Sequence, residues 1–153
     1  MKLKFIFFLA YLLVYGCGFK VLNQQGSFNI ESLKVTGEKK IAFILKNDLN
    51  IRPIENNLPI NMIINVEKKI NVKEKNDKNE ITKYEINLVA KVEYNLLKES
   101  FKKYEFIIKN KNEYSVESQH SKTLRNEKST TNLLVEDLSK KILAKINMEL
   151  NDI

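Results

Sequence analysis

Few residues in this chain could do chemistry, and their spacing narrows what that chemistry is. There is one cysteine, Cys17, and one histidine, His120. A lone thiol cannot close a disulfide within the chain, and a lone imidazole in a polar stretch cannot build a zinc site. The carboxylates of Glu67, Glu85 and Glu93 alternate with lysines along segments that read as wet strand faces, which is the pattern of a solvated surface and not of an acid–base pair. No GxSxG elbow, phosphate-binding GxxxxGK[ST] loop or HExxH helix occurs. The residues predict no catalysis, no metal and no cofactor. What remains is the thiol of Cys17, and the question of what surrounds it.

Lys2 and Lys4 precede an unbroken apolar and aromatic run, Phe5 through Tyr15, and then Gly16. That order is the anatomy of a secretory signal peptide. The run is too short for a bilayer span, which needs about 20 apolar residues. It also lacks the polar face that an amino-terminal helix on a cytosolic domain would show. Val14-Tyr15-Gly16-Cys17 resembles the lipobox of bacterial lipoproteins, with an aliphatic residue and a small residue ahead of the modified cysteine; Tyr15 stands where a small residue is more usual. The alternative is an ordinary signal peptide with an incidental cysteine. The lipobox reading predicts residues 1–16 as a signal peptide, cleavage before Cys17, and a thioether-linked diacylglycerol on its sulfur. Each buried methylene contributes about 0.8 kcal/mol, so several acyl chains would hold the protein stably to a membrane. Gram-negative lipoproteins with aspartate after the cysteine tend to stay in the inner membrane. Gly18 therefore resembles the outer-membrane class, lipid-anchored and facing the periplasm.

Removing residues 1–16 from the 153 leaves 137, enough for one domain with a real core. The 26 basic residues against 19 acidic ones fall to 24 against 19 once Lys2 and Lys4 are gone. Only Arg52 and Arg125 are arginines, and the chain is rich in Asn and Ile, a bias typical of an AT-rich genome. A modest basic surface suits an anionic lipid or membrane. No nucleic-acid-binding motif is present, and no nucleic-acid partner is expected.

The elements follow from periodicity. Residues 17–27 read as a polar tether, and 28–153 as a single domain. Residues 28–36 alternate imperfectly, with Phe28 and Ile30 in one phase and Leu33 and Val35 in the other, which predicts a strand with a bulge. Ile41, Ile44, Leu45 and Leu49 have helical spacing over 38–49, and Pro53 bars further extension. From Ile60 the even positions are apolar through Val72, with only Lys68 breaking the row, and the alternation resumes from Tyr84 to Leu96. Two antiparallel strands with one oily and one wet face are predicted. At about 3.3 Å per residue the second reaches roughly 40–50 Å and projects past the rest of a small domain. The polar stretch 74–80 reads as their hairpin loop. After a turn near Lys98-Glu99-Ser100, residues 104–108 predict a last strand. Residues 109–123, with His120, read as polar and irregular. Helical periodicity starts near Glu127, with Ser129, Thr130 and Thr131 as cap candidates and Leu134, Val135, Leu138, Ile142, Ile146 and Leu150 as the buried stripe. The expected fold is α+β: a two-layer sandwich with a mixed or antiparallel sheet of about four strands, order β-α-β-β-β-α, and both helices on one face.

Lys73, Lys75 and Lys78 surround the predicted hairpin tip. Lysines there can serve solubility and discourage strand-to-strand aggregation. They can also meet anionic phosphates as point charges.

Cys17-Gly18-Phe19-Lys20, the long strand Tyr84–Leu96, and Tyr114-Ser115-Val116-Glu117-Ser118 with Leu124 and Glu127 leading into the last helix together resemble the LPS-assembly lipoprotein family, LptE (RlpB). The likeness spans nearly the whole chain. Val21-Leu22 matches the family's usual proline and leucine only in part, and Leu124 stands where a small residue is common. The resemblance implies a non-enzymatic outer-membrane lipoprotein that plugs and helps assemble the β-barrel protein LptD and helps insert lipopolysaccharide into the outer leaflet. On that reading Lys73, Lys75 and Lys78 are candidate lipopolysaccharide contacts. A different class stays open: an auxiliary lipoprotein of another envelope transport complex, such as an ABC-type exporter, or an inhibitor of a periplasmic enzyme.

Overall fold

The computed structural model describes residues 28–50, 54, 57–99 and 101–151. The expected signal peptide, Cys17, the tether and Pro53 lie outside the described residues. The elements run β1 (Phe28–Gly37), α1 (Lys39–Asp48), β2 (Leu58–Lys75), β3 (Ile81–Leu96), a 3-10 turn at Leu97–Glu99, β4 (Lys103–Ser115) and α2 (His120–Asn151). The four strands form one open sheet in the order β1-β2-β3-β4. β1 is parallel to β2, and the other neighbours are antiparallel. A parallel pair needs a crossover, which α1 supplies. The fold is the α+β arrangement expected, with a mixed sheet.

The even-numbered rows explain the layering. Ile60, Met62, Ile64 and Val66 of β2 and Ile86, Leu88, Ala90 and Val92 of β3 are fully or almost fully buried. They share one core with Ile41, Leu45 and Leu49 from the α1 region and with Leu134, Val135, Leu138, Ile142 and Ile146 of α2. Both helices therefore pack on the same sheet face. The opposite face is wet and laced with ion pairs, such as Lys91 with Glu93 at 3.2 Å and Glu105 at 3.4 Å. The slip read in the first strand is a real register shift between Ile30 and Ser32. It lets Ile30, Leu33 and Val35 all lean on the core despite their mismatched phase.

β1 ends at Gly37, whose φ is +112°. A Cβ there would lie 1.9 Å from the Val66 carbonyl oxygen. Only glycine lets the chain leave β2 so closely. The next amide, Glu38 N–H, donates to that same carbonyl at 3.3 Å, and α1 begins.

At the other end of α1, burial and the nearby Glu136 raise the pKa of Asp48 above the ordinary carboxylate value. A raised folded-state pKa means that the neutral form is favoured. Its stabilising contribution is full at low pH and lost as pH rises through the folded pKa. Asp48 also sits at the helix carboxyl end, where the dipole disfavours a negative charge. Asp48→Asn is expected to raise stability by about 0.3–1 kcal/mol at pH 7 and to change little at pH 3. Urea melts at the two pH values check this, and equal effects at both would refute it.

Two readings need correction. β4 does not stop at residue 108 but runs to Ser115, in unbroken register from Asn95↔Lys103 to Lys83↔Ser115. β3 offers a full-length ladder, and the polar inward residue Asn110 is accepted because its amide donates to the Leu134 carbonyl at 3.1 Å and to Asp137 at 2.8 Å. α2 starts at His120, not near Glu127, so His120 opens a helix instead of lying in a loop. Ser129, Thr130 and Thr131 lie well inside α2 and cap nothing. Its entry is held instead by the Glu117 N–H donating to Thr123 Oγ1 at 2.8 Å. These first turns are polar because they border open surface, which hid the helix from a periodicity search.

Candidate functional site

The long hairpin and the depression beneath it carry the features most suited to binding. Tyr84 opposes Tyr114, and Tyr94 opposes Tyr104, in the β3–β4 ladder. Their rings stack with centroids 5.5 Å and 5.0 Å apart. Such cross-strand aromatic pairs stiffen the sheet on which the hairpin is mounted. Near the base, Tyr94 Oη donates to Glu149 at 2.7 Å and ties β3 to the end of α2. Burial, then that carboxylate, pushes the phenol pKa well above its ordinary value.

The tip is shaped by Asn76. Its side-chain oxygen accepts the Lys78 and Glu80 backbone N–H groups at 3.0 Å and 2.9 Å. Asn79 adopts φ +63°, which asparagine tolerates better than most residues. The three lysines singled out in the sequence have different surroundings. Lys73 pairs with Glu113 at 3.2 Å and Glu85 at 3.5 Å, and these, Glu113 first, hold its pKa above the ordinary lysine value. Lys75 donates to Asn79 Oδ1 at 2.9 Å. Neither Lys75 nor Lys78 forms an ion pair among the described residues. From Lys73 to Glu85 there are four lysines and four carboxylates, so the tip carries no charge surplus. The structure gathers the three lysines at one end of the molecule without making one basic pocket of them.

Lys68 has a clear explanation. The one break in the oily row of β2 sits on the core side, with 12% of its side chain exposed, and Nζ donates to Glu127 Oε1 at 2.8 Å. Sequence alone marks Lys68 as odd but does not name its partner 59 residues away. Removing the carboxylate would leave a shielded ammonium unpaired, which costs far more than losing an exposed pair. Glu127→Ala is expected to destabilise by about 1–3 kcal/mol, and adding Lys68→Met to it should recover most of the loss. Chemical denaturation of both variants measures this; no recovery in the double variant would show that the pair is not the cause.

Around this ion pair the helix-side surface is hollow. One open depression of about 460 Å³ is lined by Ile70, Tyr84, Tyr114, His120 and Leu124. A second, about 330 Å³, lies on the other side of Glu127, between Lys40, Lys68 and Lys128. Ile70 is 41% exposed and Val72 48%, so the oily row runs on beyond the part that the helices cover. The surface offers apolar contact flanked by lysines and by the carboxylates of Glu38, Glu117 and Glu127. Among the described residues, no group of three or more His, Cys, Asp or Glu could hold a metal, and no helix is long and apolar enough to cross a membrane.

No protein-family model matches the chain, and no curated protein is similar to it in sequence. Solved structures are similar in fold. The rare lipoprotein B of Shewanella oneidensis superposes with a TM-score of 0.58 at 12% identity, over 80% of this chain and 98% of that one. A minor lipoprotein from Acinetobacter baumannii gives 0.50 at 14% identity, over 80% and 94%. The fold of this chain is that of rare lipoprotein B.

Proposed function

We propose that the chain is a lipid-anchored outer-membrane protein of the LPS-assembly lipoprotein family, without catalytic activity. In this role it plugs and helps assemble the LptD β-barrel and assists lipopolysaccharide insertion into the outer leaflet. The observation that carries the reading is the likeness of fold to rare lipoprotein B over 98% of that chain. Cys17-Gly18-Phe19 at the expected lipidation site supports it from the sequence. The physical logic is consistent. A lipid anchor concentrates the domain at the membrane, and a stiff hairpin can reach into a partner. Lys75 and Lys78, which form no ion pair among the described residues, present ammonium groups that could meet phosphates, with Lys73 beside them.

Detergent extraction of a tagged chain is expected to bring down a large β-barrel protein; recovery without any barrel rejects the plug role. Replacing Lys73, Lys75 and Lys78 together by Ser is expected to weaken lipopolysaccharide binding, and unchanged binding would remove these residues from the site. Cys17→Ser is expected to abolish incorporation of labelled palmitate. Continued labelling would place the lipid elsewhere.

A further inference from the structure

β2 is paired on both sides only as far as Val66, opposite Gly37. Beyond that point, Glu67–Lys75 is paired on one side only, to β3, among the described residues. The chain is turned off β2 by Gly37, and no described residue continues along the line that β1 followed. The direction of the free backbone groups follows from one contact. The Val66 carbonyl points toward β1, since it accepts the Glu38 N–H. Strand alternation then directs the N–H and C=O groups of Lys68, Ile70 and Val72 to that same edge. Their side chains share the helix side of the sheet; Lys68 and Ile70 line the hollows beside α2, and Ile70, Val72 and Leu124 are all exposed.

We propose that this edge of β2 accepts an extended, acidic strand from a partner protein. The added strand pairs backbone to backbone with Lys68, Ile70 and Val72 and lays alternate apolar side chains on Ile70, Val72 and Leu124. The acidic character follows from charge: with Lys68, Lys73 and Glu74 already paired, Lys69 and Lys75 of this segment and Lys40 and Lys128 at the adjoining hollow form no ion pair among the described residues, against Glu38 and Glu67. The described chain starts at Phe28, aligned with Leu58 at the far end of β2. The inference goes beyond the role proposed above, because it does not depend on which protein supplies the strand.

The test uses the full chain in detergent micelles and a fluorescein-labelled nine-residue peptide alternating valine with glutamate or aspartate. Without peptide, the amides of Lys68, Ile70 and Val72 are expected to exchange at least about tenfold faster than those of Lys69 and Asn71, which bond to β3. Saturating peptide is expected to slow those three by at least about tenfold and to leave β4 unchanged. Ile70→Pro removes an outward donor without removing a bond to β3, so it is expected to weaken binding by at least about tenfold. Val72→Glu, at an exposed position, removes an apolar contact and repels an acidic strand, so it is expected to weaken binding without disturbing the fold, which guards against misfolding of the proline variant. Absence of binding, protection along β4 instead, equal binding of a lysine-for-acid peptide, or concentration-dependent protection of the same amides without peptide would each overturn the proposal. Failure to recover a barrel would not, so the two readings fail separately.

Discussion

Gly37→Ala is expected to destabilise the domain by about 3–5 kcal/mol, a large share of the roughly 5–15 kcal/mol that holds a domain of this size. Two effects add. Holding a non-glycine residue at φ +112° is strained, and such conformations cost on the order of 1–3 kcal/mol. The new methyl would also sit 1.9 Å from the Val66 carbonyl oxygen, an approach that no rotamer change relieves because the backbone alone fixes the positions of both groups. β1 must then shift away from β2, and the Glu38 N–H loses its acceptor on Val66. Urea denaturation followed by far-ultraviolet circular dichroism should show a midpoint roughly halved with a similar slope. An unchanged midpoint would mean that the turn between β1 and α1 relaxes freely, which would also weaken the view that Gly37 forces the chain off β2.

Leu138→Ala is expected to cost about 2–5 kcal/mol, while Leu133→Ala, five residues earlier on the same helix, should fall within about 0.5 kcal/mol of the parent. The side chains are identical and their surroundings are not. Leu138 is 0% exposed, in the core shared by the sheet and both helices, whereas Leu133 is 57% exposed. Truncating the first removes buried methyl groups and leaves a cavity that close-packed neighbours fill only partly. Truncating the second exchanges one solvated surface for another. Parallel urea melts decide the matter, and similar losses at the two positions would contradict the placement of α2 on the sheet.

Much of the architecture was legible from the chain because its signals are local. Even-numbered apolar rows in β2 and β3, the four-residue stripe from Leu134 to Leu150, the bulge near Ile30 and the polar hairpin loop all follow from how a backbone of period two or 3.6 presents its side chains. That Cys17 is the only cysteine, and that GxSxG, phosphate-loop and HExxH motifs do not occur, can be read from the sequence directly. Tertiary structure decided the rest. The strand hidden in residues 109–115 exists because β3 supplies a partner and α2 satisfies Asn110. The charge of Lys68 is tolerated because Glu127, distant in sequence, comes to meet it. Tyrosines spaced ten apart become two stacked pairs only through antiparallel register. Among the described residues β2 is paired on one side only beyond Val66, because Gly37 ends its neighbour early. Which face a residue occupies is a property of its own segment and can be read there. Whether that face is covered, paired or left open depends on segments far away in the chain, and only the folded arrangement brings them together.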